Sequence, residues 1–179
     1  MVHNRCCLEV VQYAAYGSNL HPLRLGARTS SAQLVGTGYL PDWSLYFHKR
    51  SIDASGKCNI QNGSSGLYIA VYQMSVADKK ELDQIEGVGK GYIDARIDVP
   101  GFGECATYLA AESYIDDALV PYDWYRELVL LGCRKLGLPA DYVRRIEQMA
   151  VTQDADPRRC QDNWKIVEML RASQAQRVN

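Results

Sequence analysis

Histidine is scarce: His3, His21 and His48 are the only three in 179 residues, widely separated and without a carboxylate pattern beside them. That offers no ligand cluster of the zinc type. Cysteine does not fill the gap. Cys6, Cys7, Cys58, Cys105, Cys133 and Cys160 have neither C-x-x-C spacing nor the density of a small disulfide scaffold, so they read as reduced, structural thiols. Like-charge blocks are absent too. With 20 basic against 21 acidic residues and a formal charge of −1, the chain carries no electrostatic footprint for nucleic acid or an anionic membrane. No apolar run approaches the roughly 18 to 20 residues of a spanning helix, and "MVHNRCCLEV" is no leader peptide, so the expectation is a soluble, cytoplasmic protein. "GVGKG" at 87–91 follows a helical pattern and lacks the spacing and Lys-Ser/Thr ending of a phosphate loop, which argues against a nucleotide. The composition asks for no cofactor and no metal. A small neutral or zwitterionic partner remains open.

What is present suffices for one domain over residues 1–179: 47% hydrophobic residues support a single core that buries roughly 70% of the unfolded surface. Leu8 to Tyr16 reads as a central strand, with Val10, Val11, Tyr13 and Ala15 as its β-favouring residues. Alternation at Trp43, Leu45 and Phe47 predicts a second, "GLYIAVYQM" at 66–74 a third, and "YIDARIDVPGFGECATYLA" a hairpin with Ile93, Ala95, Ile97 and Val99 on one face. The Gly- and Ser-rich stretch "HKRSIDASGKCNIQNGSSG" reads as a loop. Ser75 predicts a helix N-cap with Asp78 as capping-box partner, an apolar stripe of Val76, Leu82 and Ile85, and a stop at Gly87. A second helix starts at Asp123 with Leu128, Gly132 and Leu136 on one face, and two more follow in "ADYVRRIEQMA" and "NWKIVEMLRAS". Strands first and helices mostly later suggest an α+β fold.

One carboxylate stands where local stability would not put it. Glu86 sits four residues after Leu82 at the negative end of its helix dipole, which together with partial burial disfavours the charged form and suits a general base. A frayed, solvent-facing helix end is the plainer reading. "YGSNL", at 16–20, ends the first strand. Gly17 permits close backbone approach, and Ser18 and Asn19 can aim N–H groups at a carboxylate or developing oxyanion ahead of a short helix tolerating Pro22. A strand-to-helix turn capped by Asn19 explains the same residues.

The ordered set of "YGSN", "WSLYFHKRSIDASGKCNI", "LYIAVYQMS", "LDQIEG" followed by Tyr92, and "WYRELVLLGCRKLGLP" resembles the γ-glutamylcyclotransferase family over most of the chain. The resemblance implies a small mixed β-barrel with peripheral helices. It also implies an enzyme without cofactor, in which the α-amine of a γ-glutamyl group attacks its own γ-carbonyl and releases 5-oxoproline. On that resemblance Glu86 is the catalytic acid/base, Tyr13, Ala14, Ala15, Tyr16, Gly17, Ser18 and Asn19 line the glutamyl pocket, and Tyr92 and Tyr125 border it and orient substrate or Glu86. For Tyr92 and Tyr125 a place in the core is the alternative, and for Arg24 and Lys57 a solvated surface is preferred to substrate contact. The leaving group is left as a small amine or the remainder of a dipeptide. An amide hydrolase using Ser18 or a cysteine, and a noncatalytic binding module, are the competing functions.

Overall fold

The computed structural model describes residues 9–175, so the expectations for His3, Cys6, Cys7 and Leu8 lie outside the described residues. Among the described residues there are seven strands: β1 (Val10–Ala15), β2 (Gln33–Leu40), β3 (Trp43–Arg50), β4 (Gly56–Asn62), β5 (Leu67–Ser75), β6 (Tyr92–Val99) and β7 (Gly103–Ala110). Five are joined in the order β2-β5-β1-β7-β6, and β3 and β4 form a separate hairpin. β1 is central as expected, antiparallel to β5 and parallel to β7. The helices are α1 (Pro22–Gly26), α2 (Val76–Glu86), α3 (Asp123–Lys135), α4 (Ala140–Glu147) and α5 (Pro157–Ala175). This is the α+β architecture anticipated. Among the described residues no helix is long and apolar enough to cross a membrane.

The strands do not close into a true barrel. Side chains bridge the gaps instead. Asn59 of β4 accepts from the Ala110 amide of β7 at 2.8 Å, and Tyr92 of β6 donates to the Cys58 carbonyl of β4, standing in for missing ladder bonds. Near the other edge, a Cβ on Gly38 of β2 would come within 2.8 Å of Val99, so packing rather than pairing brings β2 toward the β6–β7 turn.

Two local corrections follow from this topology. The stretch read as a loop contains β4, which pairs antiparallel with β3 from Trp43↔Asn62 to Arg50↔Gly56, with a register shift between Tyr46 and Lys49. In β6, Ile97 and Val99 are buried but Ile93 is exposed, because this strand is an edge.

Helix α2 has both predicted ends. Ser75 accepts from the Asp78 amide at 3.1 Å. The reciprocal half of the capping box is absent: the Asp78 carboxylate takes the Ser31 amide and hydroxyl at 2.7 and 2.8 Å, and the Ser31 hydroxyl accepts from the Ser75 amide. Gly87, at φ +76, closes the helix with bonds from its own amide to Gln84 and from the Val88 amide to Asp83. That pairing of bonds makes Glu86 the last residue of the helix and sets the direction in which its side chain leaves. Leu82 faces the core, whereas Ile85, expected beside it, is half exposed. Helix α3 starts at Asp123 as expected, with Tyr122 at its N-cap.

Candidate active site

The turn after β1 is tied down from two sides. Residues Ser18–Leu20 form one turn of 3₁₀ helix in which the Leu20 amide bonds the Gly17 carbonyl at 3.0 Å. Tyr72 of β5 donates to the Leu20 carbonyl at 2.7 Å. From the opposite side α3 presses at Gly132, where a Cβ would fall 2.5 Å from Leu20 Cβ and 3.0 Å from the His21 amide. Pro22 opens α1, and His21, not Asn19, caps it by accepting from the Leu23 amide at 3.2 Å.

That leaves the Asn19 side chain free of capping, and it bridges the site. Its Nδ2 donates to Glu86 Oε1 at 3.0 Å and to the Tyr13 hydroxyl at 3.2 Å, while its Oδ1 accepts from Arg28 at 3.0 Å. Arg28 also donates to the same Glu86 oxygen at 2.6 Å. The strand-end turn and the tail of α2, nearly seventy residues apart in sequence, therefore meet. Both bonds to Glu86 fall on Oε1. Among the described residues Oε2 has no hydrogen-bond donor, so one carboxylate oxygen is held and the other is left for a ligand.

A narrow cavity opens beside this carboxylate, and its walls include Tyr13, Tyr16, Gly17, Ser18, Asn19 and Glu86. Cys58, Tyr92, Tyr108 and Tyr125 complete it. Gly17 lacks a side chain where one would touch Cys58 Cβ at 3.0 Å and approach the Tyr125 hydroxyl at 3.5 Å. Ala14 and Ala15 are not on this wall. Both are fully buried in β1, where the Ala14 carbonyl accepts from Thr107 at 2.9 Å.

The backbone of Cys58 organises two of the tyrosines. Its carbonyl accepts from Tyr92, and its amide donates to Tyr125 at 3.2 Å. Tyr92 has thus committed its proton, whereas Tyr125 uses a lone pair and keeps its proton for another acceptor. Neither bonds Glu86, so the orientation expected of these two is supplied by Asn19 and Arg28. Burial pushes Tyr92 and Tyr125 well above the usual tyrosine range, which keeps both as neutral donors. Burial likewise pushes the Cys58 thiol up, which disfavours the nucleophilic thiolate. Ser18 lines the cavity, but neither His21 nor His48 does. His48 is engaged with Asp117 at 2.7 Å and Asn59 at 3.0 Å.

Outside the cavity lies a wider vestibule that shares Ser18, Glu86, Tyr92 and Tyr125 with it and adds Arg24, Arg28, Lys49 and Lys57. Lys57 is not on a solvated surface. It is clamped to Asp53 at 2.7 Å and lies 4.7 Å over the rings of both Trp124 and Tyr125. Arg24 too is turned inward, with a buried Nε. Arg28, Lys49, Cys58 and Tyr108 escaped the sequence reading, since a lone cation, thiol or tyrosine carries no local pattern of its own. Among the described residues no group of three or more His, Cys, Asp or Glu side chains is placed to hold a metal ion.

Comparison with known proteins bears on this site. Residues 66–146, spanning β5 to α4 and including Glu86, match the model of the AIG2-like family. The human protein named gamma-glutamylcyclotransferase is 27% identical over 150 residues, 78% of each chain. Its bovine counterpart is 26% identical over 149 residues, 79% of each. A solved structure titled gamma-glutamyl cyclotransferase superimposes with a TM-score of 0.75 at 22% identity, covering 90% of this chain and 99% of that one, and so shares the fold. In sequence and in fold the chain is thus similar to proteins named gamma-glutamylcyclotransferase.

Proposed function

We propose that the protein is a γ-glutamyl cyclotransferase: it releases 5-oxoproline from a γ-glutamyl compound by intramolecular aminolysis, with Glu86 as general acid/base. One observation carries the reading. Glu86 presents an unoccupied carboxylate oxygen to a cavity walled by the Gly17 turn, while its other oxygen is fixed by Asn19 and Arg28.

In this scheme the glutamyl chain folds into the tyrosine-walled cavity, which favours five-membered ring closure over extended conformers. Glu86 removes a proton from the α-ammonium. The freed amine attacks the γ-carbonyl carbon, and the oxygen that becomes negative is met by the unspent Tyr125 proton and by amides of the 16–19 turn. Glu86 then returns its proton to the leaving nitrogen as the old C–N bond breaks, and the ring nitrogen, which carries two hydrogens after the attack, gives up its second proton through Glu86 to the departing amine, which leaves as an ammonium. Products are 5-oxoproline and a free amine or amino acid, and no water is consumed. A positioned acid/base of this kind supplies about 10²- to 10⁴-fold in rate.

The test is product analysis with purified protein and γ-glutamylalanine. Lactam release from the wild type is expected, with loss of about 10²-fold or more in Glu86→Gln at unchanged thermal stability. Free glutamate instead of the lactam would mean hydrolysis. Tight binding without turnover would mean a binding module.

A further inference from the structure

Two lysines lie over the two tyrosines that Cys58 organises, but they serve them differently. Lys49 sits 4.5 Å above the Tyr92 ring, whose hydroxyl already donates to the Cys58 carbonyl. Lys57 sits 4.7 Å over the Tyr125 ring, whose oxygen accepts from the Cys58 amide at 3.2 Å and whose proton is left for a ligand in the cavity. The same ammonium lies 4.7 Å over Trp124 and 5.5 Å over Tyr122, so three rings from the start of α3 surround it.

The loop before β4 fixes Lys57 from the other side. Its Nζ donates to Asp53 and to the Ser55 hydroxyl, each at 2.7 Å, and Asp53 also accepts from the Ser55 hydroxyl at 2.8 Å and the Ser55 amide at 3.1 Å. Tyr122 donates to the Asp53 carbonyl at 2.8 Å and ties that loop to α3. Burial disfavours the Asp53 carboxylate, yet the hydrogen bond from Lys57 holds its carboxyl below the usual range, so the pair is ionised. The Tyr125 ring is confined too. Phe47 and Trp124 meet it nearly at right angles, with centroids 6.1 and 6.0 Å away, and Lys57 covers a face.

A cation over the face of a phenol draws electron density from the ring and its oxygen, which makes the O–H a stronger donor. The benefit grows with the negative charge on the acceptor, so it is larger for a developing oxyanion than for a neutral carbonyl. We infer that Lys57, held by Asp53, is a positioning residue of the reaction: it fixes the Tyr125 ring and strengthens the Tyr125 hydroxyl as donor to the oxygen that becomes negative. The inference rests on the cyclotransferase reading for the identity of that oxygen.

The test removes the cation and follows the donor. Lys57→Met is made alone and together with Asp53→Asn, so that one of the two proteins leaves no carboxylate stranded, and Lys57→Arg keeps a cation beside the ring; thermal unfolding checks that each variant folds. With γ-glutamylalanine, the methionine variants should lose about 10-fold in kcat with KM within about twofold, and Lys57→Arg should recover most of the loss. In the Tyr125→Phe background the same removal should cost less than about twofold in kcat, because the donor it serves is gone. Carbon-13 NMR of Cζ-labelled tyrosine reads the contact without turnover: the Tyr125 signal, assigned by its loss in Tyr125→Phe, should shift when the cation is removed and return toward its wild-type position in Lys57→Arg. An equal kcat loss in the Tyr125→Phe background, a loss carried by KM alone or an unmoved Tyr125 signal would overturn the inference; the KM result would make Lys57 a substrate contact instead. Absence of 5-oxoproline with the wild type would sink the cyclotransferase reading, and the Tyr125 signal would then decide by itself whether Lys57 acts on that hydroxyl.

Discussion

Asn19→Leu isolates the part of the site that aims the base. The substitution keeps the volume of the side chain but removes the donor to Glu86 Oε1 at 3.0 Å, the donor to Tyr13 at 3.2 Å and the acceptor for Arg28 at 3.0 Å. Hydrogen bonds to charged groups contribute about 1.5 to 3 kcal/mol each. Glu86 retains Arg28, so the loss is that of one such bond, and at about 1.36 kcal/mol per decade it corresponds to a fall in kcat of about 10- to 100-fold. KM should move less, because the substitution leaves the tyrosine walls in place. The assay is 5-oxoproline release from γ-glutamylalanine, with thermal unfolding as a control for folding. A double-mutant cycle sharpens it. Once Glu86 is Gln, Asn19 no longer positions a base, so Asn19→Leu in that background should cost far less than in the wild type. Costs that multiply in the double mutant, or a single-mutant kcat within twofold of wild type, would show that Asn19 does not act through Glu86.

Lys79 of α2 is 6% exposed, pairs with Asp83 of its own helix and joins α2 to β6 through Asp94 at 2.8 Å. Because both carboxylates are partly solvated, Lys79→Met should cost about 2 kcal/mol rather than the larger penalty of a fully buried pair, lowering Tm by roughly 4 to 8 °C. An unchanged melting curve would mean the ion pairs do not anchor the helix that carries Glu86. Asp154 accepts from Arg159, Trp124 and the Asp156 amide, and Arg159 holds its carboxyl at about 2, below the usual 3.8. A depressed folded-state value stabilises the fold above pH 4, and that contribution is lost as pH falls from 4 toward 2. Asp154→Asn should therefore be less stable by about 1 to 2 kcal/mol at pH 7, and its deficit should shrink toward pH 2 in thermal scans; a deficit independent of pH would contradict the linkage.

The elements that could be read in advance are those whose signals are local. β1 and β5 are apolar runs of β-favouring residues, and α2 announces both of its ends, Ser75 and Gly87, within its own sequence. β4 escaped because "GKCNIQN" carries no strong strand preference of its own; it is a strand because β3 pairs with it and because Asn59 reaches Ala110. The mixed barrel stays open for a related reason. Closure depends on which edges meet, and here side chains of Asn59 and Tyr92 do the joining, with no period or turn signal to reveal them.

The candidate site divides along the same line. Glu86 and the 16–19 turn stand out because helix-end and turn chemistry mark them locally, and the dipole argument singles out a carboxylate at the negative end of its own helix. What that argument lacked was the answer to the problem: Arg28 and Asn19 bring donors to Oε1 from another part of the chain. Two glycines make the same point. Gly132 reads in sequence as one more position on a helix face, and Gly91 as part of a turn. In the fold, the absent side chain of the first lets α3 press on the Leu20 turn, and that of the second leaves space for the Lys49 ammonium. Both are requirements imposed by a neighbour distant in sequence. A residue's chemistry can be read from its letter and its immediate context, but the reason it must be that residue is found only across the cavity.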